Sequence, residues 1–208
     1  MTFIRLALVG VAAAFLTACN AVEINEREVP VTAQALARDY SVATLNIDVP
    51  RDLKVSEANL YFPIADIVWR EELSGDRYAQ VEAIFEDGMA FGVSQLRGSR
   101  RVVVDVEVAR FHSLTQKARY SIGGVHSIKF YLTISDAATG AVIEPRRFIE
   151  ADFTAFGGSQ AVAAEARGET QRVRITRHLA AIIQQELLSP NAWTSAKAEM
   201  ESANANAL

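Results

Sequence analysis

The chain has 208 residues, of which 50% are hydrophobic and 22% are charged, and its formal net charge is −4. This length suits one domain, and the composition excludes a mostly disordered protein. The acidic balance disfavours binding to nucleic acid, because the sequence-independent part of such binding comes from Lys and Arg side chains that neutralise phosphates.

Residues 1–18 have the pattern of a secretory signal peptide. One positive charge, Arg5, precedes an apolar run over residues 6–16, which is shorter than the roughly 20 residues of a membrane-spanning helix. The single cysteine, Cys19, comes directly after this leader, so no internal disulfide can form. The four residues Leu16-Thr17-Ala18-Cys19 resemble the lipobox of bacterial lipoproteins.

The lipobox resemblance implies cleavage between Ala18 and Cys19 and a diacylglyceryl group on the Cys19 thiol, usually with a further acyl chain on the new amino terminus. Two or more chains hold a protein stably on a bilayer, so membrane lipid is the implied partner. Asn20 stands where retention-type lipoproteins often have aspartate, which favours the outer membrane with the domain facing the periplasm. The alternatives are an ordinary secretory leader with Cys19 near the cut, or a cysteine buried as a small hydrophobic residue.

The first part of the mature chain is predicted to be a tether followed by the start of a sheet. Residues 19–43 are polar and mixed, and residues 32–40 fit a short helix within them. From Thr44 to Val49 apolar and polar residues alternate, which predicts a strand at the start of a single domain over residues 44–190. A second short strand is predicted over residues 65–69.

A capped amphipathic helix should follow. Asp76 can accept amide hydrogens of the first turn, and apolar residues recur at three- and four-residue spacing as far as Leu96. Gly88 and Gly92 lie on this stripe and weaken the helix, which indicates close packing, and a sheet is the expected neighbour. Gly98 is expected to end the helix.

The second half of the domain reads as strands and then a helix. Residues 101–111 and 127–135 alternate in hydrophobicity, a hairpin turn is predicted at Thr139 and Gly140, and the return strand extends to Phe156. Gly123 and Gly124 predict a bulge or sharp bend. From Ala161 the pattern is helical, and Pro190 is expected to end the helix. Its apolar face is formed by Val173, Ile175, Leu179, Ile182, Ile183 and Leu187. Its outward face is formed mostly by Arg172, Arg174, Arg177, Gln184, Gln185 and Glu186.

The tail over residues 191–208 is expected to fray, with Trp193 returning to the domain. The order of elements predicts an α+β fold, a twisted and mainly antiparallel sheet with two amphipathic helices packed on one face.

The sequence contains no recognisable catalytic or cofactor motif. His112, His126 and His178 lack the spacing of metal ligands, and neither a Gly-x-Ser-x-Gly elbow nor a phosphate-binding glycine loop occurs. We therefore predict no metal, no cofactor and no enzymatic activity. Asp105 and Glu107 share one strand face, as solvent-facing pairs routinely do, and an enzyme assembled only in three dimensions would have to bring them to His112 and His126.

One segment predicts a partner surface. Trp69, Arg70, Arg77 and Tyr78 fall in the densest mixture of aromatic, charged and turn residues, and Trp, Tyr and Arg dominate binding hot spots. The alternative is a Trp packed beneath the first helix, with the arginines paired to nearby acids.

The lipobox, the segment over residues 66–78 and the order of elements resemble those of uncharacterised lipoproteins of alphaproteobacteria. The domain order is similar to that of accessory lipoproteins of envelope ABC-type transport systems. The leading hypothesis is a non-enzymatic envelope lipoprotein that binds an envelope protein in transport or assembly. The alternative is a domain that carries a lipid or small ligand in a cavity between its helices and sheet.

Overall fold

The structure is a computed structural model that describes residues 38–188. The predicted signal peptide, Cys19, Asn20, most of the predicted tether and the predicted tail over residues 191–208 lie outside the described residues.

The described residues form an α+β fold, as the sequence predicts. The elements in chain order are β1 (Tyr40–Asp48), β2 (Ile67–Val68), α1 (Arg77–Val93), β3 (Arg100–His112), α2 (Gln116–Arg119), β4 (Gly124–Asp136), β5 (Val142–Glu150), β6 (Phe153–Ala155), α3 (Gly158–Ala166) and α4 (Gln171–Leu188).

Strand β1 begins at Tyr40, earlier than the predicted start at Thr44. Residues 40–43 therefore belong to the sheet and not to a tether, and the predicted helix over residues 32–40 is wrong at its end. The physical reason is burial, because Tyr40 is 6% exposed and Val42 packs against the core.

The strands form one mixed sheet in the order β1-β3-β4-β5, with β2 also beside β3 and β6 also beside β4. The pairs among β3, β4, β5 and β6 are antiparallel. Strands β1 and β2 run parallel to β3, because α1 carries the chain back to the end of the sheet at which β1 starts. Thus β1 and β2 lie along one edge, and β5 and β6 lie along the other.

Alternation along β3 and β4 gives the sheet one covered and one open face, as predicted. The covered face consists of fully or almost fully buried side chains, Val102, Val104, Val106, Val108, Ile128, Phe130, Leu132 and Ile134. Helices α1 and α4 pack on this face. The Phe85 ring of α1 contacts the Phe130 ring edge-on, with 5.8 Å between the ring centroids. The other face presents Asp105, Glu107 and Tyr131.

Helices α1 and α4 touch through the two helical glycines. A Cβ atom on Gly88 would lie 2.7 Å from the carbonyl oxygen of Thr176, and one on Gly92 would collide with the carbonyl oxygen of Ala180. Close packing at these glycines is confirmed, but the neighbour is helix α4 and not the sheet. Gly92 follows Gly88 by four residues, and Ala180 follows Thr176 by four residues, so helices α1 and α4 run parallel.

The C-terminal helical region differs from the prediction in three ways. It is two helices, α3 and α4, separated at Gly168, whose φ of 78° favours glycine. Val173 is exposed, because it lies about 200° around the helix from Ile175. Glu186 is buried instead of outward, because it follows Ile182 by four residues and so shares the apolar stripe.

The turns and the return strand are close to the prediction. Gly140 in the hairpin and Gly123 in the bend before β4 both have a φ of 72°. The return strand is continuous through Pro145 as β5, and β6 is a separate strand paired to the start of β4.

A polar cluster closes the end of the core where the described chain enters and leaves. The Tyr40 hydroxyl donates to Glu144 Oε1 at 2.9 Å, and Arg38 contacts both Glu144 and the main-chain carbonyl of Glu186. Arg147 pairs with Glu186. Burial, reinforced by the Glu144 carboxylate, raises the pKa of Tyr40 to about 12.

Candidate functional surfaces

Two of the four residues predicted as a partner surface are buried, and the other two are partly buried. Trp69 is 0% exposed and contacts the Phe111 ring edge-on, with 5.7 Å between the ring centroids. Arg77 is 4% exposed. Tyr78 donates its hydroxyl to the Leu53 carbonyl at 2.7 Å. The surface prediction is therefore wrong for Trp69 and Arg77, and the alternative of a packed Trp with paired arginines describes the structure.

These buried residues instead fix the loop between β1 and β2. Arg77 donates from Nε to Glu57 Oε1 at 2.6 Å and from Nη2 to Glu57 Oε2 at 3.0 Å. Arg70 also contacts Glu57, and its Nε donates to Gln116 Oε1 at 2.8 Å. Farther along the loop, Thr115 donates its hydroxyl to the Leu60 carbonyl at 2.7 Å. The loop is thus tied to α1 and to α2.

The fixed loop carries a run of exposed apolar side chains that sequence reasoning missed. We define the tip patch as Leu60, Tyr61, Phe62 and Ile64, with exposed fractions of 53%, 40%, 80% and 99%. The Lys117 ammonium lies over the Tyr61 ring at 4.6 Å, and the exposed Tyr120 and Ile122 follow α2 at the same end of the sheet. Without helical or strand periodicity, a short apolar run of this kind resembles a core segment, so only three-dimensional exposure distinguishes it.

The carboxylates and histidines considered for catalysis do not converge. Asp105 and Glu107 lie on the open face of the sheet, where they contact Asn46 and Arg146 respectively. His126 points into the covered face at 0% exposure. His112 lies on β3 next to Arg110, which it contacts, and burial lowers its pKa. Residues 38–188 contain no group of three or more metal-type ligands.

A serine and a histidine meet inside the domain, but the pair is sealed from solvent. Ser113 Oγ lies 3.0 Å from His126 Nδ1 and donates to Gln171 Oε1 at 3.0 Å. The Ser113 hydroxyl thus lies between the Gln171 amide and the His126 ring, and all three side chains are buried. Burial, with like charge from Arg174, lowers the pKa of His126 to about 3.

The rings around His126 extend this buried cluster toward α4. Phe153 lies between two histidines, with its ring centroid 4.9 Å from that of His126 and 4.2 Å from that of His178. His178 Nε2 lies 3.1 Å from the Ala151 carbonyl, and burial lowers its pKa. Both histidines are therefore neutral packing residues near pH 7.

A second surface feature is a groove beside the sheet edge. It has a volume of about 640 Å³ and lies between residues 41–45 of β1 and the C-terminal part of α1. Val93 and Leu96 provide apolar wall, and Arg97 and Arg101 also line it. We call this the edge groove.

These features define a class of protein, an α+β domain with a helix-covered sheet, exposed apolar side chains and a groove beside one sheet edge. The chain belongs to a family of unknown function, DUF6778, whose family model matches residues 40–203. No curated protein sequence matches it. Within residues 38–188 no helix has the length and hydrophobicity needed to cross a bilayer.

Solved structures with a distant similarity include three bacterial proteins. A candidate lipoprotein from Caulobacter crescentus is 15% identical, with 79% of this chain and 95% of that chain covered and a TM-score of 0.34. Protein XCC0632 from Xanthomonas campestris, of family DUF330, is 12% identical, with 81% and 92% covered and a TM-score of 0.41. A PelC dodecamer from Paraburkholderia phytofirmans is 15% identical, with 74% and 90% covered and a TM-score of 0.35.

Proposed function

We propose that this protein is an envelope lipoprotein, cut between Ala18 and Cys19 and anchored through lipid on Cys19, whose domain binds a protein partner without catalysis. Its place is the outer membrane facing the periplasm, and its role is that of an accessory component in envelope transport or assembly. The observation that carries the partner-binding role is the tip patch, because large apolar side chains exposed close together on one loop are a common mark of a protein interaction site.

The position of the tip patch supports this role. The described chain enters at Arg38 and leaves at Leu188 at one end of the sheet, and the tip patch lies by α2 at the other end. The 13 residues of β3 separate the two ends by about 43 Å. With a lipid on Cys19, the chain would run from the membrane to the entry end of the domain, and the tip patch at the opposite end would be free to contact a partner.

The rest of the domain favours binding over catalysis or ligand transport. The Ser113 and His126 pair is buried, and the carboxylates on the open face are engaged by Asn46 and Arg146. The space between helices and sheet is filled by fully buried rings, among them Phe85 and Phe130. The carrier hypothesis therefore receives no support from the packed interior.

Capture of a partner from solubilised envelopes tests the binding role. The double variant Phe62→Ser with Ile64→Ser removes the two most exposed side chains of the tip patch at little cost to folding. We expect it to recover at least tenfold less of the partner captured by the wild type. Phe91→Ser is the matched control, since Phe91 is 67% exposed on α1. Equal capture by both variants would refute the role of the tip patch.

The anchor needs a separate experiment. We expect globomycin to block removal of the leader, and Cys19→Ser to abolish lipid labelling and release the protein from membranes. Asn20→Asp should move the protein from the outer to the inner membrane in a density gradient. A Cys19→Ser protein that remains in the membrane fraction would refute lipid anchoring through this cysteine.

A further inference from the structure

Strand β1 is a sheet edge with no further strand of the described chain beside it. Within residues 38–188 it pairs with β3 alone, and its nine residues contain one charge, Asp48, and no proline. The opposite edge strand, β5, contains Pro145 and four charged residues, Glu144, Arg146, Arg147 and Glu150. Edge strands are usually blunted by proline and charge, because their free N–H and C=O groups can pair with another chain. Strand β1 lacks these features.

The edge groove runs alongside this edge strand. Its walls are β1 on one side and the last turns of α1 on the other, with Val42, Leu45, Val93 and Leu96 as apolar lining. A strand added outside β1 would direct every second side chain toward α1 and so into this groove. The groove therefore has the position needed to select side chains of an added strand.

Two arginines give the edge groove its charge. Arg97 and Arg101 are both exposed, and neither forms an ion pair with any residue of the described chain. Arg97 donates to main-chain carbonyls at the end of α1, including that of Leu96 at 3.0 Å. Other arginines of the domain, such as Arg146 and Arg172, have carboxylate partners within 3 Å. An occupant of the groove that carries a carboxylate would supply the missing charge.

We propose that β1 binds an extended, acidic segment of a partner protein, which adds as a strand to the sheet. Its apolar side chains enter the edge groove, and an Asp or Glu side chain pairs with Arg97 and Arg101. Main-chain hydrogen bonds to β1 supply affinity, and the groove and arginines supply selectivity. This inference rests on the partner-binding role proposed above and adds to it a contact distinct from the tip patch.

Binding of random twelve-residue peptides displayed on phage, with the full chain purified in detergent, tests this proposal. We expect enrichment of peptides that alternate apolar residues with Asp or Glu. For the best of them as a labelled peptide, Arg97→Gln with Arg101→Gln should weaken binding at least tenfold, and so should Ala43→Glu, whose exposed side chain lies in the groove. Arg177→Gln, another exposed arginine without an ion pair among residues 38–188, should have no effect.

Methylation of alternate backbone nitrogens in the peptide identifies strand addition. In an added strand, every second N–H group points toward β1 and the others point away. Methylation of the nitrogens that face β1 should abolish binding, and methylation of the nitrogens that face away should not. Equal effects of methylating the two sets of nitrogens, or no preference for acidic peptides, would overturn the proposal. Self-association of the protein that Ala43→Glu abolishes would assign this edge to a second copy and also overturn it.

The outcome is independent of the proposed anchor and of the tip patch. Peptide binding is measured with purified protein, whereas membrane release by Cys19→Ser and partner capture by the Phe62 and Ile64 variant test the proposed function. Peptide binding without partner capture would refute the tip patch alone, and partner capture without acidic peptide binding would refute the edge site alone.

Discussion

Acidification should destabilise this domain through His126. The ring is 0% exposed, and its pKa in the folded state is about 3, against an ordinary value of 6.5. Between pH 6.5 and pH 3, His126 is therefore protonated in the unfolded chain but neutral in the folded domain. The stabilising contribution of the neutral ring is fully present above pH 6.5 and is lost as the pH falls from 6.5 toward 3.

The size of the effect follows from proton linkage. Each pH unit within this window changes the free energy of unfolding by about 1.4 kcal/mol per proton, so His126 alone should cost about 2 kcal/mol between pH 7 and pH 5. His178 acts in the same direction, because burial also lowers its pKa. Most carboxylates remain ionised down to pH 5, which keeps this range informative.

Urea denaturation at pH 7, 6 and 5 measures this dependence. His126→Asn keeps a polar side chain beside Ser113 but removes the titrating ring, so the variant should lose about 2 kcal/mol less than the wild type over the same range. His112→Asn is the control, and its effect should be smaller because the His112 ring is only half-buried. Identical pH slopes for wild type and His126→Asn would refute a neutral, buried His126.

Three further changes test packing, charge burial and capping. Gly92→Ala should destabilise the domain by about 1–3 kcal/mol in chemical denaturation, because its Cβ would force α1 away from the Ala180 carbonyl, and a gain in stability would contradict that contact. Glu57→Gln should cost about 1 kcal/mol and increase proteolysis of the loop before β2, since Arg77 would lose its half-exposed carboxylate partner but keep the Leu73 carbonyl and Gln80; unchanged proteolysis would argue against this tie. Asp76→Ala should lower the melting temperature through a loss of about 1 kcal/mol, because its side chain accepts from the amides of Tyr78 and Ala79; an unchanged melting temperature would argue against the cap.

The sequence predicts those parts of the fold in which hydrophobic periodicity is strong. Alternation over residues 101–111 and 127–135 identifies β3 and β4 with the correct buried face, and the Asp76 cap and apolar stripe identify α1. Periodicity does not reveal which element packs against a stripe. For that reason Gly88 and Gly92 indicate close packing correctly, while their contact with α4 emerges only from the tertiary arrangement.

The candidate surfaces are less predictable because exposure is a property of the whole fold. Trp69 and Arg77 have the composition of a hot spot, but Phe111 and Glu57 bury them. Phe62 and Ile64 have the composition of a core, but the loop that carries them is held outward by contacts with Thr115 and Arg77. Glu57, which organises that loop, lies far from its arginine partners in sequence and gives no local signal.

The parallel pairing of β1 with β3 has a mechanical consequence. A force applied to the N-terminal segment acts along the axis of β1, since the chain enters the sheet at Tyr40. Such a load is shared by the main-chain hydrogen bonds along the whole ladder instead of opening them one after another from an end. Arg38 forms an ion pair with Glu144 and donates to the carbonyl of Glu186, and these contacts stabilise the sheet at the point where the force is applied. The domain should therefore resist tension best when its N-terminal segment is pulled along the axis of β1.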